Sequence, residues 1–311
     1  MRKNNPMKNN FFKSPTGAKI NLYVSEPKNE TRGIVHITHG LAEHAYRYRH
    51  FAKSCSSAGF ITFAHDLRGH GHTESEDAPI GVFAKSNGFK LVMEDYYAVI
   101  MLIRKLNPGK PLICFGHSLG SLLALNFAIK HPDGLDGLAC WNTGAEGGFL
   151  PHASQIILSV EKLFRDPIFP SLVARKLTFD AWNAKFKPNR TEFDWLSQDN
   201  EKVDAYVKDP LCGFDASISM WLDILKAVFS ANRKAYLKNL PKNLPVHLLG
   251  GEDDPVTNSG RDMRKLLNKL IKVGLNDVTC KILTKTRHES INEINRDSTI
   301  ELFLKWLDQR Y

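Results

Sequence analysis

The residues best placed to do chemistry in this chain are a serine, an aspartate and a histidine, in that order. Ser118 stands in Gly116-His117-Ser118-Leu119-Gly120, directly after the apolar run Pro111 to Phe115 and at the head of a stretch with helical spacing, Ser118 to Lys130. A serine on a sharp strand-to-helix turn takes strained backbone angles, and its neighbours must be small because strand and helix crowd them; Gly116 and Gly120 supply that room. A hydroxyl is a weak nucleophile at its own pKa, so such a serine needs a base. His288, in Lys285-Thr286-Arg287-His288-Glu289, follows the strand-like run 278–283, and Asp254, in Gly250-Gly251-Glu252-Asp253-Asp254-Pro255, follows the run 245–249. Each of the three thus lies on a loop after a separate strand, the edge where open α/β sheets carry their sites. His288 would take the Ser118 proton during attack on a carbonyl and return it to the leaving group, while Asp254 holds the imidazole tautomer. Glu252 and Asp253 are rival acids; Pro255 stiffens the loop behind Asp254 and favours it, leaving the other two as solvated loop carboxylates.

A tetrahedral intermediate also needs donors for its oxyanion. One is the backbone N–H of Leu119, after the serine; the second comes from His39-Gly40-Leu41, after the run Ile34 to Thr38, with Leu41 the candidate and Gly40 allowing close approach. His36, His39, His44, His65, His70 and His72 could suggest a metal, but no pair has the His-x-x-x-His spacing of zinc hydrolases, so no metal site is expected.

These groups need a scaffold. Apolar runs too short for helices recur at 34–38, 60–65, 111–115, 137–141, 245–249 and 278–283, separated by helical text such as Gly88 to Leu106, Ser118 to Lys130 and Arg261 to Val273. Alternation of this kind predicts an α/β fold, a mostly parallel sheet with helices on both faces. Phe11 to Lys13 and Lys19 to Ser25, joined by Ser-Pro-Thr-Gly, predict an antiparallel hairpin at one edge. Ser298 followed by Glu301 reads as a capping box opening a last helix that carries Leu302, Phe303 and Trp306 to the sheet. The rhythm breaks over 144–240, where Phe164, Phe169, Phe179, Trp182, Phe186, Phe193, Trp195, Trp221 and Phe229 punctuate polar helical text. That stretch predicts a helical cap inserted within a single domain spanning 1–311, its aromatics forming ordinary core individually and an apolar pocket beneath a movable lid collectively.

With 42% hydrophobic and 24% charged residues, the 311-residue chain can bury a large core. Its net charge of +9 raises the question of an acidic partner. Lys and Arg are scattered apart from Met1 to Lys13, and no zinc-finger, RNP or basic-zipper pattern occurs, which argues against nucleic acid and leaves a solvated basic surface or peripheral contact with anionic membrane. No run approaches the roughly 20 apolar residues of a membrane span. Cys55, Cys114, Cys140, Cys212 and Cys280, an odd set without short-spaced pairs, fit reduced, mostly buried thiols in a cytoplasmic protein.

Three blocks carry a specific resemblance: His39-Gly-Leu-Ala-Glu-His44-Ala-Tyr-Arg47-Tyr48, Asp66-Leu-Arg68-Gly-His70-Gly71, and the Gly-His-Ser-Leu-Gly elbow, in that order. Over about Gly33 to Trp306, least across the cap, the chain resembles the monoacylglycerol lipase and lysophospholipase branch of the α/β-hydrolases. The resemblance implies esterase activity on single-chain acyl lipids or small acyl esters, no metal or organic cofactor, and a bracing role for Asp66 and Arg68. Ser121 and Thr73 replace the more usual Gly and Ser. Two other readings stand beside it: an amidase like the related serine aminopeptidases, with Asp194 or Glu192 in the cap binding a free amine, and a binding protein on the same scaffold.

Overall fold

The alternation of apolar runs becomes a single eight-stranded sheet in the computed structural model, which describes residues 7–144 and 149–311. Its strands are β1 (Lys8–Lys13), β2 (Lys19–Ser25), β3 (Gly33–Thr38), β4 (Phe60–His65), β5 (Leu112–His117), β6 (Gly137–Trp141), β7 (Val246–Gly251) and β8 (Val278–Leu283). They lie in the order β1-β2-β4-β3-β5-β6-β7-β8. From β4 to β8 every pairing is parallel, and β1 and β2 join antiparallel at one edge, as the hairpin reading predicts. Of the basic segment Met1 to Lys13, residues 1–6 lie outside the described residues.

The longer helices are α1 (Arg49–Ser57), α2 (Gly88–Leu106), α3 (Leu119–Lys130), α4 (Phe149–Phe164), α5 (Asn200–Lys208), α6 (Ile218–Asn232), α7 (Arg261–Lys272) and α8 (Arg296–Asp308). Successive residues of the central strands point to opposite faces, so a continuously apolar strand feeds two cores. Ile34, Leu112, Cys114, Leu138, Cys140, Val246 and Leu248 face the cluster made with α2, α3, α6 and α7. Val35, Ile37, Ile113, Phe115, Ala139 and Trp141 face α1 and α8, where Phe51, Phe303 and Trp306 meet them. Burying one such aromatic stabilises the fold by roughly 1.5–3 kcal/mol.

The last helix does not start as its sequence suggests. It begins at Arg296, and Ser298 lies inside its first turn, donating back to the Asn295 carbonyl at 2.8 Å, as does the Thr299 hydroxyl at 3.1 Å. Glu301 pairs with Lys305 one turn on instead of reaching back. The Asn295 carbonyl, already serving the helix, captures the hydroxyls that the capping box needed.

Between β6 and β7 the chain carries α4, α5, α6 and short helical turns between Leu172 and Phe186. Residues 145–148 of the stretch 144–240 lie outside the described residues. Ser217 caps α6 by accepting from the Met220 N–H at 3.1 Å, and Asp199 caps α5 in the same manner. α6 packs on α2 and α3 and buries Met220, Ile224, Ala227 and Val228 in the main core, whereas Phe179, Phe193, Trp195 and Tyr206 form a separate cluster over the sheet edge.

Candidate active site

Ser118 occupies the turn between β5 and α3 at φ +52°, ψ −116°. That is costly for any residue with a side chain, and the surroundings enforce it. A Cβ on Gly116 would fall 2.3 Å from the Gly120 carbonyl oxygen, and one on Gly120 would fall 2.2 Å from that of Thr38. The elbow is thus wedged against β3, and the two glycines are what let it fit. Ser121, the residue that departs from the family pattern, holds the turn from the other side: its hydroxyl donates to the Gly116 carbonyl at 2.6 Å and accepts from the Trp141 N–H at 2.9 Å.

Asp254 follows β7 and is fully buried, while Glu252 and Asp253 are exposed. Its Oδ1 lies 3.0 Å from His288 Nδ1 and accepts from the Val256 N–H at 2.9 Å; its Oδ2 accepts from Asn142 Nδ2 at 3.1 Å. Burial pushes the carboxyl up, but His288 and these donors outweigh it and hold the pKa below its ordinary value. Because a carboxylate can only accept, His288 carries its proton on Nδ1, leaving Nε2 as the lone-pair nitrogen. The ring packs between Trp195, at 5.1 Å, and His117, at 4.9 Å. Asn142, first residue after β6, is a site residue that the sequence reading missed; Ser290 Oγ in turn donates to its Oδ1 at 2.7 Å. A polar residue immediately after a sheet strand was the available signal.

The turn after β3 is held just as firmly. The Leu67 N–H donates to His39 Nε2 at 2.9 Å, so His39 must donate from Nδ1 to the Gly40 carbonyl, 2.7 Å away. Burial lowers its pKa to about 4, in keeping with a neutral strut. The Gly40 N–H donates to Glu43 Oε1 at 2.7 Å, so that donor is already taken. The Ala42 carbonyl accepts from the Tyr206 hydroxyl at 2.8 Å and the Gly213 N–H at 2.9 Å, tying the turn to the segment between β6 and β7.

Ser118, His288, Leu41 and Leu119 line one cavity of about 480 Å³. Its walls include Leu150, Leu177, Phe179, Trp182, Trp221 and Val228, with Tyr206, Glu43 and Glu289 among its polar groups. Of the aromatics singled out in the sequence, Phe164 and Phe169 are instead exposed, at 81% and 53%. Asp194 and Glu192 do not line the cavity either. Asp194 accepts from the Thr191 hydroxyl and the Arg190 N–H, closing its own loop, and Glu192 pairs with Arg175 on the surface.

Asp66 and Arg68 brace the scaffold. Asp66 accepts from Asn21, Ala45 and His72 at 2.8–2.9 Å, and the other family departure, Thr73, donates to its carbonyl at 2.6 Å. Arg68 is buried against Asp95 at 2.9 Å and Asp77 at 2.5 Å. Among the described residues one trio of possible metal ligands gathers, His44, Asp209 and Cys212, their ligand atoms within 4.8 Å of one another. His44 Nε2 and Asp209 Oδ2 are 2.9 Å apart, and burial raises the Cys212 thiol pKa, away from the thiolate a metal requires. Sequence separation hid the trio, which fastens the turn after β3 to the chain beyond α5.

A parallel sheet with its serine on a glycine-flanked elbow is the fold of the α/β-hydrolases, and the protein is an enzyme of the serine hydrolase class. The family model described as "Serine aminopeptidase, S33" matches residues 29–295, and the chain belongs to that family. It is 24% identical over 299 residues to a monoacylglycerol lipase of Mycolicibacterium smegmatis, covering 95% of each chain. It is 25% identical over 294 residues to the human monoglyceride lipase, covering 92% of this chain and 85% of that one. Among solved structures, a thermostable carboxyl esterase from Bacillus coagulans in complex with glycerol superposes with a TM-score of 0.88 at 25% identity, over 97% of this chain and 98% of that one.

Proposed function

We propose that the protein hydrolyses carboxylic esters of single-chain acyl lipids, monoacylglycerols or lysophospholipids, through an acyl-enzyme on Ser118. The observation that carries this is the shared apolar cavity, into which the serine and the histidine both open while Asp254 sits buried behind the imidazole. Ser118 attacks the ester carbonyl, and its proton passes to His288 Nε2 and on to the leaving alcohol. Water then attacks the acyl-enzyme by the reverse proton route. Asp254 stabilises the imidazolium, and the N–H groups of Leu119 and Leu41 receive the oxyanion; Leu41 is preferred to Gly40 because Gly40 already donates to Glu43.

The segment 144–240 acts in this reading as a cap roofing the cavity, and exposed apolar residues on and just beyond α4 give it peripheral contact with anionic membrane, the source of the lipid. No helix among the described residues is long and apolar enough to cross a membrane. The five free cysteines, three of them buried, support a cytoplasmic location.

Fluorophosphonate labelling of wild type and Ser118→Ala, followed by an ester panel from acetate to long-chain monoacylglycerol and lysophospholipid, tests the assignment. Labelling confined to wild type, with turnover rising with acyl length, is expected. Labelling of both proteins, or of neither, would remove Ser118 as the nucleophile. The family's aminopeptidase description favours a second reading, amide cleavage, and faster turnover of aminoacyl amides than of esters would select it.

A further inference from the structure

Behind Ser118 and His288 lies a buried polar cluster that the proposed reaction does not use. Glu43 Oε1 accepts from the Gly40 N–H at 2.7 Å and the Tyr48 hydroxyl at 2.8 Å. The Arg47 guanidinium joins Glu43 to both carboxylate oxygens of Glu289, the latter at 2.5 and 2.6 Å. His117, the residue before the serine, closes the group: its Nδ1 lies 3.4 Å from Glu43 Oε1 and its Nε2 3.0 Å from the His288 carbonyl oxygen. None of these five side chains is more than 11% exposed.

Two independent observations fix the charge of the His117 ring. Both of its nitrogens face groups that can only accept, a carboxylate and a carbonyl, and a neutral imidazole has one N–H to offer; the other nitrogen would point its lone pair at an acceptor. Glu43 and Glu289 together also carry two negative charges against the single positive charge of Arg47, and a buried unbalanced carboxylate is strongly disfavoured.

We propose that His117 is a resident imidazolium that positions the three loops of the active site relative to one another, an inference that rests on reading Ser118 and His288 as nucleophile and base. Through Nδ1–H it holds Glu43, which holds Gly40 and with it the turn presenting Leu41. Through Nε2–H it holds the backbone of His288. Its own backbone is the last residue of β5, directly before Ser118. The groups facing it are Glu43, Arg47 and Tyr48 after β3 and His288 and Glu289 after β8. Burial favours the neutral ring, but Glu43, aided by Glu289, overcomes this and leaves the His117 pKa raised. As pH rises and the proton leaves, one of the two hydrogen bonds must be given up.

Nitrogen-15 NMR of the whole chain labelled in its 12 histidines reads the ring directly. Across a pH titration, the wild-type spectrum should contain one histidine that keeps both ring nitrogens protonated to higher pH than a free imidazole, whose ordinary value is about 6.5. Its signals should vanish in His117→Gln and lose one proton in Glu43→Gln. Absence of any such imidazolium in wild type, or its persistence in His117→Gln, overturns the charge assignment. With an activated ester, His117→Gln should lower kcat roughly 10- to 100-fold, as small misplacements of reacting groups do, with KM nearly constant; an unchanged kcat overturns the positioning role. The ring is read in unreacted protein, so this result stands apart from whether Ser118 labels.

Discussion

Asp254 illustrates how much one side chain must give up to serve another. It has no access to solvent, and every hydrogen bond its carboxylate makes, to His288, Asn142 and the Val256 N–H, goes to stabilising its negative charge. The proposed mechanism needs that charge to hold the Nδ1–H tautomer of His288 and to stabilise the imidazolium that forms. Asp254→Asn keeps the shape but presents a donor or a weaker acceptor to Nδ1; kcat on an activated ester should fall by about 10⁴-fold while the folded spectrum is retained. A loss of tenfold or less in steady-state kinetics would return Glu252 or Asp253 to consideration. The candidate triad was legible at this scale because chain order and local motif are properties of the sequence itself. Glu43, Asn142 and Ser290 were not, because a buried polar group finds its partner in space: Asn142 and Asp254 are 112 residues apart, Ser290 and Asn142 148.

Among the elements, the segment between β6 and β7 has one part tied to the loop carrying His288 and another that packs on α6 and faces solvent. Trp195 and Leu196 accept backbone hydrogen bonds from His288 and Glu289, and Arg287 donates to the carbonyls of Asp194 and Ser197. This part of the proposed cap is therefore tied to the loop carrying the proposed base. α4 and the short helical turn that begins at Leu172 present Leu150, Ile156, Leu163, Phe164 and Leu172 to solvent, each at least 55% exposed. Apolar groups gathered in this way on a basic protein suit insertion at an anionic interface. Leu163→Glu with Phe164→Glu should abolish co-sedimentation with anionic vesicles while leaving hydrolysis of a soluble short-chain ester unchanged; undiminished sedimentation would remove α4 from the contact. The parallel strands were readable to within about two residues because the central ones are buried on both faces and so are mostly apolar. β1 was read three residues short, since Lys8, Asn9 and Asn10 pair through their backbone at an exposed edge and need no apolar signature. The start of α8 was misplaced because hydroxyls at a helix start have two uses, and only tertiary structure selects one.

For the molecule as a whole, the buried histidines govern behaviour in acid. Burial lowers the pKa values of His36 and His70 to about 3 and those of His39 and His247 to about 4, and pushes His65 well below its ordinary value. All five are neutral when folded at pH 5, yet would be protonated in the unfolded chain, whose imidazoles titrate near 6.5. Their contribution to stability is present above that value and is lost as pH falls from there through their depressed folded values. Asp254 adds the same sign lower down, its contribution lost as pH falls below 3.8. His117 has the opposite sign, stabilising below 6.5 and losing that contribution as pH rises through its raised value. Urea midpoints should therefore drop steeply between pH 7 and pH 5, and equal midpoints would contradict the buried neutral state. None of this was visible in a count of histidines, because burial decides the sign.

The order of strands also sets a timetable for synthesis. Ser118 and the turn after β3 leave the ribosome long before Asp254 and His288, and β7 and β8 add to the sheet edge last. A nascent chain that has already folded β1 to β6 and seated its elbow still lacks Asp254 and His288, the proposed acid and base. It also exposes the unpaired edge of β6 until β7 arrives, an edge open to pairing with other chains. On the proposed mechanism, hydrolytic competence is thus withheld until His288 has been made, and a ribosome stalled before codon 288 leaves a chain that carries Ser118 without the residue proposed to activate it.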